Sequence, residues 1–481
     1  MHDAMDRRDF LKYLVGSGIV LCAGWELSVL LNACERGTDH GAKGPLDPRN
    51  VILITADTLR ADYLHCYGNN RIGTPNIDKL AREGILFRNC FCQSTTTNPS
   101  HASILTSLYP KDHRVYLNTD YLPEDVRMIS EYMRDAGFNT VGAVSAPHLN
   151  PEVSGFGRGF STFISCQGPQ ATASQTNQNV LSWLRENSRS KFFMWLHYFD
   201  PHTPYTPPTA FGQGYYEGDP RDPRHTSMAE VAYPRRWEKN AALMEWLKGV
   251  TDIQFPIAQY MGEISYLDAQ IGAVIAALYD QGVQGNTMII FTSDHGEALG
   301  EHHIYFAHAG LYEATVRVPL IVWYPSSLQP DTIDSYVMGI DIMPTILDSC
   351  GVEVQASIRG RTLLSLVRGA TEAIHDWVFC EHVANNQAMM RNKKWKYIKS
   401  LKNWRFNERF IITEGNRELY DLESDPGELN NCANDYPALE KELDEELVAW
   451  LEKTPPRRGP MAKPPVSEEV KENLRALGYT D

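Results

Sequence analysis

The chain has 481 residues, 43% hydrophobic and 22% charged, with 45 Lys and Arg against 60 Asp and Glu and a formal net charge of −15. That composition excludes a collagen, a coiled coil and wholesale disorder, and the acidic balance excludes a duplex nucleic-acid partner, which needs a basic stripe to displace counterions. At roughly 150 residues per domain, the length suits one large α/β domain with a smaller companion.

Residues 1–34 read as an address. Arg7-Arg8-Asp9-Phe10-Leu11-Lys12 precedes the apolar run 13–23, the pattern of a twin-arginine export signal. Glu26 breaks that run short of the roughly 20 residues a membrane span needs. Leu31-Asn32-Ala33-Cys34 resembles a lipoprotein cleavage box with Cys34 as the acylated residue, although Asn32 stands where a small residue is usual. The polar stretch 35–46 would be a linker, placing the mature protein in the periplasm or on a membrane through a lipid anchor. Of nine cysteines, Cys22 and Cys34 belong to the leader, and the other seven are widely spaced with no C-x-x-C pair. They predict no disulfide framework, and Cys90 and Cys92 read as buried small hydrophobes.

Beyond the leader, apolar runs at 51–56, 141–144, 192–197, 288–292 and 320–323 predict buried strands, and helical patterns lie between them at 77–83, 102–108, 126–136, 180–186, 257–279 and 342–350. This alternation predicts an α/β fold, a large parallel sheet covered on both faces, with its site past the C-terminal strand ends. Residues 205–256 form an insertion. Its Tyr215, Tyr216, Tyr233 and Trp237, with Arg221, Arg224, Arg235 and Arg236, read either as a wall for a sugar, aryl or lipid headgroup or as a loop packed on the surface. From 376 the pattern changes to short antiparallel strands at 378–381, 395–400, 410–413 and 418–422 and a helix at 438–452. The expected division is an α/β domain over 47–375 and a C-terminal α+β subdomain over 376–481. The lysine-rich stretch 392–396 reads as a solvated strand edge, and Asp341 as a helix cap.

Three segments carry chemistry. Asp57-Thr58-Leu59-Arg60 leaves the first strand, Thr97-Asn98-Pro99-Ser100-His101-Ala102 opens a helix, and Ser293-Asp294-His295-Gly296-Glu297 leaves a later strand. Pro99 suits a first helical turn, so Thr97 falls just before a helix N-terminus, where free N–H groups and the positive dipole end favour an alkoxide or an oxyanion; taken alone it reads as an N-cap. Asp57, Asp294 and His295 at neighbouring strand ends can share one divalent cation (calcium, manganese, magnesium or zinc), with Thr97 as a further ligand. A cation there would make the Thr97 hydroxyl a usable nucleophile near neutral pH. Only one ion is supported: Asp268 suits a capping role better than a second metal site, and His302 and His303 could equally be loop-packing residues.

With Asp57, the runs T-x-P-S-H-A-S-x-L-T at 97–106, P-H-T-P at 201–204, S-D-H-G-E-x-L-G-E-H at 293–302, Y-E-A-T-V-R-V-P-L-I at 312–321 and E-L-Y-D-L-x-x-D-P at 418–426 resemble the sulfatase family of the alkaline-phosphatase superfamily. The resemblance covers nearly all of 50–480. It implies a mostly parallel sheet flanked by helices with a small antiparallel C-terminal subdomain. It also implies Asp57, Asp294 and His295 as metal ligands, His202 in contact with the transferred group, and His308 where many sulfatases carry a lysine beside the leaving oxygen. Asn98 and His101, beside Thr97, complete the expected substrate-binding and catalytic set.

Three departures stand out. Thr58 replaces the second Asp of the family's D-D pair, the G-K-W-H segment is replaced around 144–148, which includes His148, and C-x-P-x-R has become Thr97-Asn98-Pro99-Ser100-His101. Threonine carries a β-methyl and cannot yield the formylglycine aldehyde, so no formylglycine is expected. A sulfated Thr97 could be cleared only by attack at sulfur, whereas a phosphorylated Thr97 is a more tractable intermediate. His101 in place of Arg removes a permanent cation. The expectation is an exported metal-dependent hydrolase of phosphate or sulfate esters on a small molecule, glycan or lipid headgroup. A true sulfuric-ester hydrolase, a phosphoryl-group transferase and a catalytically silent anion-binding relative are the alternatives.

Overall fold

The structure, a computed structural model, describes residues 44–234, 237, 244–354, 358–382, 384, 386–453 and 467–476. The leader with Cys34, most of the linker, and Arg235 and Arg236 lie outside the described residues. Eight strands share one sheet: β1 (Asn50–Ala56), β2 (Ile85–Phe91), β3 (Asn139–Ala143), β4 (Thr162–Ile164), β5 (Phe192–Tyr198), β6 (Thr287–Ser293) and, after the small ladder of β7 (Ala298–Leu299) and β8 (Tyr305–Ala307), β9 (Arg317–Trp323) and β10 (Asp331–Met338). Their order is β10-β2-β9-β6-β1-β5-β3-β4. All neighbours run parallel except that β9 is antiparallel to β2 and β6.

The predicted strands are all present. β2 and β10 escape an apolar-run search because Arg88 and Asn89 interrupt the first, and the second is an edge strand whose first half is mostly exposed. Helices α1 (Pro75–Glu83), α2 (Thr97–Thr106), α3 (Ile129–Asp135), α4 (Ala173–Asn187), α5 (Gln254–Asp280) and α6 (Ile342–Ser349) cover both faces. Alternation along β1 divides the core, with Val51 and Leu53 packing on the α2, α3 and α6 side and Ile52, Ile54 and Ala56 on the α1, α4 and α5 side.

Asp268 on α5 accepts the N–H groups of Asn76 and Ile77 and so caps α1, and His302 stacks on Tyr312 at 3.5 Å. In the insertion, Met228, Trp237 and Leu247 are buried in the α5-side core and the Tyr216 hydroxyl donates to Asp252. The packed-loop reading describes these residues. Asp341 stands at the N-cap position of α6, but its side chain caps the preceding 3-10 turn 339–341 instead. Its carboxylate accepts from the Met338 and Arg361 N–H groups and meets His375 Nε2 at 2.9 Å, all three lying outside α6.

At the C-terminal side, β11 (Val378–Glu381), β12 (Gln387–Arg391), β13 (Trp395–Ser400) and, beyond the separate hairpin of β14 (Trp404–Arg405) and β15 (Ile411–Ile412), β16 (Arg417–Asp421) form an antiparallel sheet ordered β11-β12-β13-β16. Helix α7 (Pro437–Glu452) packs Leu443 and Leu447 on Met390, Tyr397 and Leu419. The solvated-edge expectation for 392–396 describes the exposed Lys393 and Lys394 and is corrected for Lys396 and for the strand's position. β13 is an interior strand, and Lys396 is fully buried with its Nζ 2.6 Å from Glu428 Oε1 and 3.2 Å from Glu313 Oε1. Its partners lie far away in sequence, so a local pattern reads the charge as solvent-facing. Lys396→Met is expected to leave the buried Glu428 carboxylate without its cation, while Glu313 keeps Arg391 at 3.3 Å, and to destabilise the fold by about 3–5 kcal/mol, which urea unfolding would measure.

Candidate active site and metal centre

In-register pairing builds the site. Ala56 lies opposite both Tyr198 and Ser293, so the chain leaves β1 and β6 at one level and Asp57 and Asp294 emerge side by side. The two-residue period puts Thr55 and Asp57 on the face of β1 that α2 covers. Thr97 and His101 are one helical turn apart, about 6 Å, close to the spacing of about 6.6 Å between strand residues i and i+2. The pairs therefore meet: Thr97 Oγ1 is 3.5 Å from Asp57 Oδ2, and His101 Nε2 is 3.0 Å from Thr55 Oγ1. Thr97 is the first helical residue and Thr96 takes the cap position, one step earlier than the sequence pattern predicts.

Asp294 Oδ1 accepts the N–H groups of Thr58 (3.2 Å) and His295 (2.8 Å), leaving Oδ2 for the site. Thr58 presents its N–H from a left-handed conformation, φ 56°, at a strain of roughly 1–2 kcal/mol. The turn is held by the Tyr260 hydroxyl donating to Thr58 O and the Leu59 N–H donating to Ser293 Oγ. His295 Nδ1–H donates to Gly296 O (3.1 Å), so its lone pair sits on Nε2. Asp57 Oδ1, Asp294 Oδ2 and His295 Nε2 are buried with no hydrogen-bond partner. The ligand atoms of these three residues lie within 4.8 Å of one another, and no other such group of three converges among the described residues.

Burial raises the Asp57 carboxyl well above the usual range, with the Thr97 hydroxyl opposing. Burial and the charge of Asp57 do the same to Asp294, while burial and His308 keep His295 neutral. Two carboxylates and one imidazole, orphaned at a single buried point, form a candidate site whose donor set suits a divalent cation.

Around this centre stands a shell of imidazoles. His101 Nδ1–H donates to Thr97 O (2.9 Å), and Nε2 faces Thr55 Oγ1, which also accepts Trp195 Nε1–H. Both of its ring nitrogens are engaged, and Nδ1 also lies 3.7 Å from Asp294 Oδ2, so His101 borders the centre directly as well as through Thr97 and Thr55. His308 Nδ1–H donates to Thr95 O (2.6 Å), and its ring lies 4.4 Å from that of His295 and 5.8 Å from that of His202. His202 Nδ1–H donates to Thr203 O (2.6 Å), and the ring stacks on Phe199. Asn98 donates through Nδ2 to the carbonyls of Asn118 and His148, tying the start of α2 to two loops.

Three further histidines belong here. His197 on β5 accepts the Ser145 N–H at Nδ1 and aims Nε2 at Asp57 Oδ2, 3.6 Å away. Its signal was present, since alternation puts it in line with Phe193 and Trp195 on the Thr55 face. His148 is fully buried, and its ring faces His197, His202, His101 and His308. His382, next to β11, accepts the Gly310 N–H (3.2 Å) and faces His308. No local pattern marks it, because a different sheet brings it in.

The mostly parallel sheet and the strand-end site define a member of the alkaline-phosphatase superfamily. A Sulfatase family model matches residues 49–352, and a model described as N-sulphoglucosamine sulphohydrolase, C-terminal, matches residues 300–453. The chain belongs to the sulfatase family. It is 27% identical to the arylsulfatase of Clostridium perfringens over 449 residues, covering 80% of this chain and 90% of that one. It is 26% identical to an N-acetylglucosamine-6-O-sulfatase of Bacteroides thetaiotaomicron over 514 residues, covering 88% of each chain. The phosphonate monoester hydrolase of Silicibacter pomeroyi shares the fold with a TM-score of 0.69 at 21% identity, covering 85% of this chain and 96% of that one.

Proposed function

We propose that this protein is an exported, metal-dependent hydrolase of phosphate esters, with sulfate esters as its second substrate class, in which Thr97 is the nucleophile. Asp57, Asp294 and His295 would hold one divalent cation, with Thr97 as a further ligand. The carrying observation is the convergence of three orphaned ligand atoms beside the Thr97 hydroxyl. A bound cation would supply charge stabilisation at the reacting oxygens.

Thr97 Oγ1 attacks phosphorus as its proton passes toward Asp57 Oδ2. The Oγ1–P bond forms, and the bond to the leaving alcohol breaks. With Nδ1–H of His202 and His308 committed to backbone carbonyls, Nε2 is the end of each that exchanges protons. Protonated, it serves the leaving oxygen; neutral, it accepts a proton from the water that attacks phosphorus, and as the Oγ1–P bond breaks the proton held at Asp57 Oδ2 returns to Thr97 Oγ1. The substrate-binding expectation for Asn98 is corrected: its backbone and side-chain N–H groups are all committed to Asn118 and His148, so it holds the start of α2, and His101 and His197 would orient Thr97 and Asp57. A silent relative has no need of three buried acceptor atoms left unsatisfied, each a standing penalty, and this favours an enzyme.

The Thr97 side chain favours phosphorus, because the β-methyl closes the aldehyde route. The names of the relatives keep sulfate, on aryl groups or glycans, as the second reading. Residues 47–375 would form the catalytic domain, with 376–481 contributing His382. Residues 7–12 would direct export, and Cys34 would carry a lipid anchor.

The test is a panel of nitrophenyl phosphate monoesters and diesters, phosphonate monoesters and sulfates, each across calcium, manganese, magnesium and zinc. Turnover of a phosphorus ester restored by a metal after chelation is the expected result. No turnover with any metal would sink the enzyme reading, and sulfate as the preferred substrate would favour the second.

A further inference from the structure

Two buried carboxyls outside the metal centre have no part in the chemistry above. Asp200 precedes the turn Pro201-His202-Thr203-Pro204, and Glu263 lies on α5. Asp200 Oδ2 accepts the N–H of Ala173, the first residue of α4 (2.9 Å), and Glu263 Oε1 accepts the N–H of Thr206, just past the turn (2.8 Å). Each carboxyl also has the other as hydrogen-bond partner. From β5, the Tyr198 hydroxyl faces Asp200, and Tyr266 on α5 faces Tyr198. The helix α4 offers the Ala173 N–H and the Asn177 amide that takes the Tyr198 hydroxyl. Among the described residues, no cation acts on either carboxyl.

Two ionised carboxylates offer only acceptors, so a hydrogen bond between them requires a proton. We propose that Asp200 and Glu263 share one proton, and that the resulting carboxyl–carboxylate pair is the clasp that fastens the turn bearing His202 to α4 and α5. Both are positioning residues, since they act on the reaction only through the backbone of His202.

Burial and then the charge of Asp200 push Glu263 up to about 9, and burial raises Asp200, so the pair keeps its proton at neutral pH. Unfolded, Glu263 ionises near 4.5. The folded chain therefore binds the extra proton between 4.5 and about 9. Its stabilising effect is fully present below 4.5, declines as pH rises, and is lost by about 9.

Urea unfolding of the full chain at pH 6, 7 and 8 tests the clasp, comparing wild type with Glu263→Gln, Asp200→Asn and Glu263→Ala. Gln or Asn supplies a permanent N–H in place of the shared proton. The wild-type unfolding constant, divided by that of either amide variant, is expected to grow by up to about tenfold per pH unit. Glu263→Ala, with no donor, is expected to be less stable than Glu263→Gln at every pH. A ratio constant from pH 6 to 8 overturns the proposal, and Asp200→Asn decides if Glu263→Gln does not fold.

The link to His202 rests on the function proposed above and has its own readout. Wild-type kcat/KM on nitrophenyl phosphate is expected to fall above about pH 9 while that of Glu263→Gln holds, and coincident profiles overturn the link. A wild type that turns over no ester would defeat the functional reading alone, because the unfolding ratios still decide the clasp.

Discussion

Thr97→Ala is expected to lose kcat on the order of a thousandfold or more on every ester the wild type turns over. Its cation affinity should stay within about tenfold, because Asp57, Asp294 and His295 keep their places. The substitution removes one hydroxyl whose Oγ1 sits 3.5 Å from Asp57 Oδ2. It leaves the Thr97 carbonyl that receives His101 Nδ1–H, so α2 keeps its anchorage to β1 through Thr55. Thr97→Ser is the control: it restores the hydroxyl and should recover activity to within about tenfold of wild type. Steady-state kinetics with calorimetric metal titration separate the two effects. Equal turnover by wild type and Thr97→Ala would remove Thr97 from the chemistry.

Asp294→Asn has the second-largest expected effect, and it acts in opposite directions with and without metal. With metal, the loss of one of two carboxylates should weaken cation binding by at least about a hundredfold and reduce kcat/KM in step. Without metal, Asp294 and Asp57 repel each other in a dry site, and both carboxyls are pushed well above their usual range. The amide removes that repulsion and keeps the acceptor for the Thr58 and His295 N–H groups. Chelated Asp294→Asn should therefore unfold at a higher temperature than chelated wild type. Adding metal at a hundred times its Kd should stabilise wild type by about 2.7 kcal/mol and the variant by far less. A chelated variant less stable than chelated wild type would contradict the repulsion.

The strand-end part of the site was legible because three favourable circumstances coincided. β1 and β6 are uninterrupted apolar runs, each is followed at once by an acid, and a Pro in the first turn marks the start of α2. Asp57, Asp294, His295 and Thr97 could be named from those signals, and the structure gathers all four. The direction of β9 was not legible, because an apolar run reads the same whichever way the strand lies. His197 was overlooked as one polar residue in an apolar strand, although its alternation with Trp195 aims it at Asp57.

His382 and Lys396 were beyond local reading for a different reason. Each is explained by partners from distant segments, Gly310 and His308 for the first and Glu313 and Glu428 for the second. His101 shows the limit of reading a motif by position. It stands where the resemblance places an arginine, and its ring nitrogens bond Thr97 and Thr55 while Nδ1 borders Asp294 Oδ2 at 3.7 Å. The acidic composition, for its part, excluded one class of partner and carried no information about a centre where two buried carboxylates converge.

The most direct measurement is chemical trapping of the Thr97 ester. Metal-loaded protein would be mixed with excess nitrophenyl phosphate, quenched in acid within its first turnovers, digested and mapped by mass spectrometry. One phosphoryl group is predicted on the peptide bearing Thr97, absent from Thr97→Ala and formed no more slowly than steady-state turnover. A phosphoryl group on any other residue, or turnover by Thr97→Ala with no covalent ester at all, would contradict a threonine nucleophile.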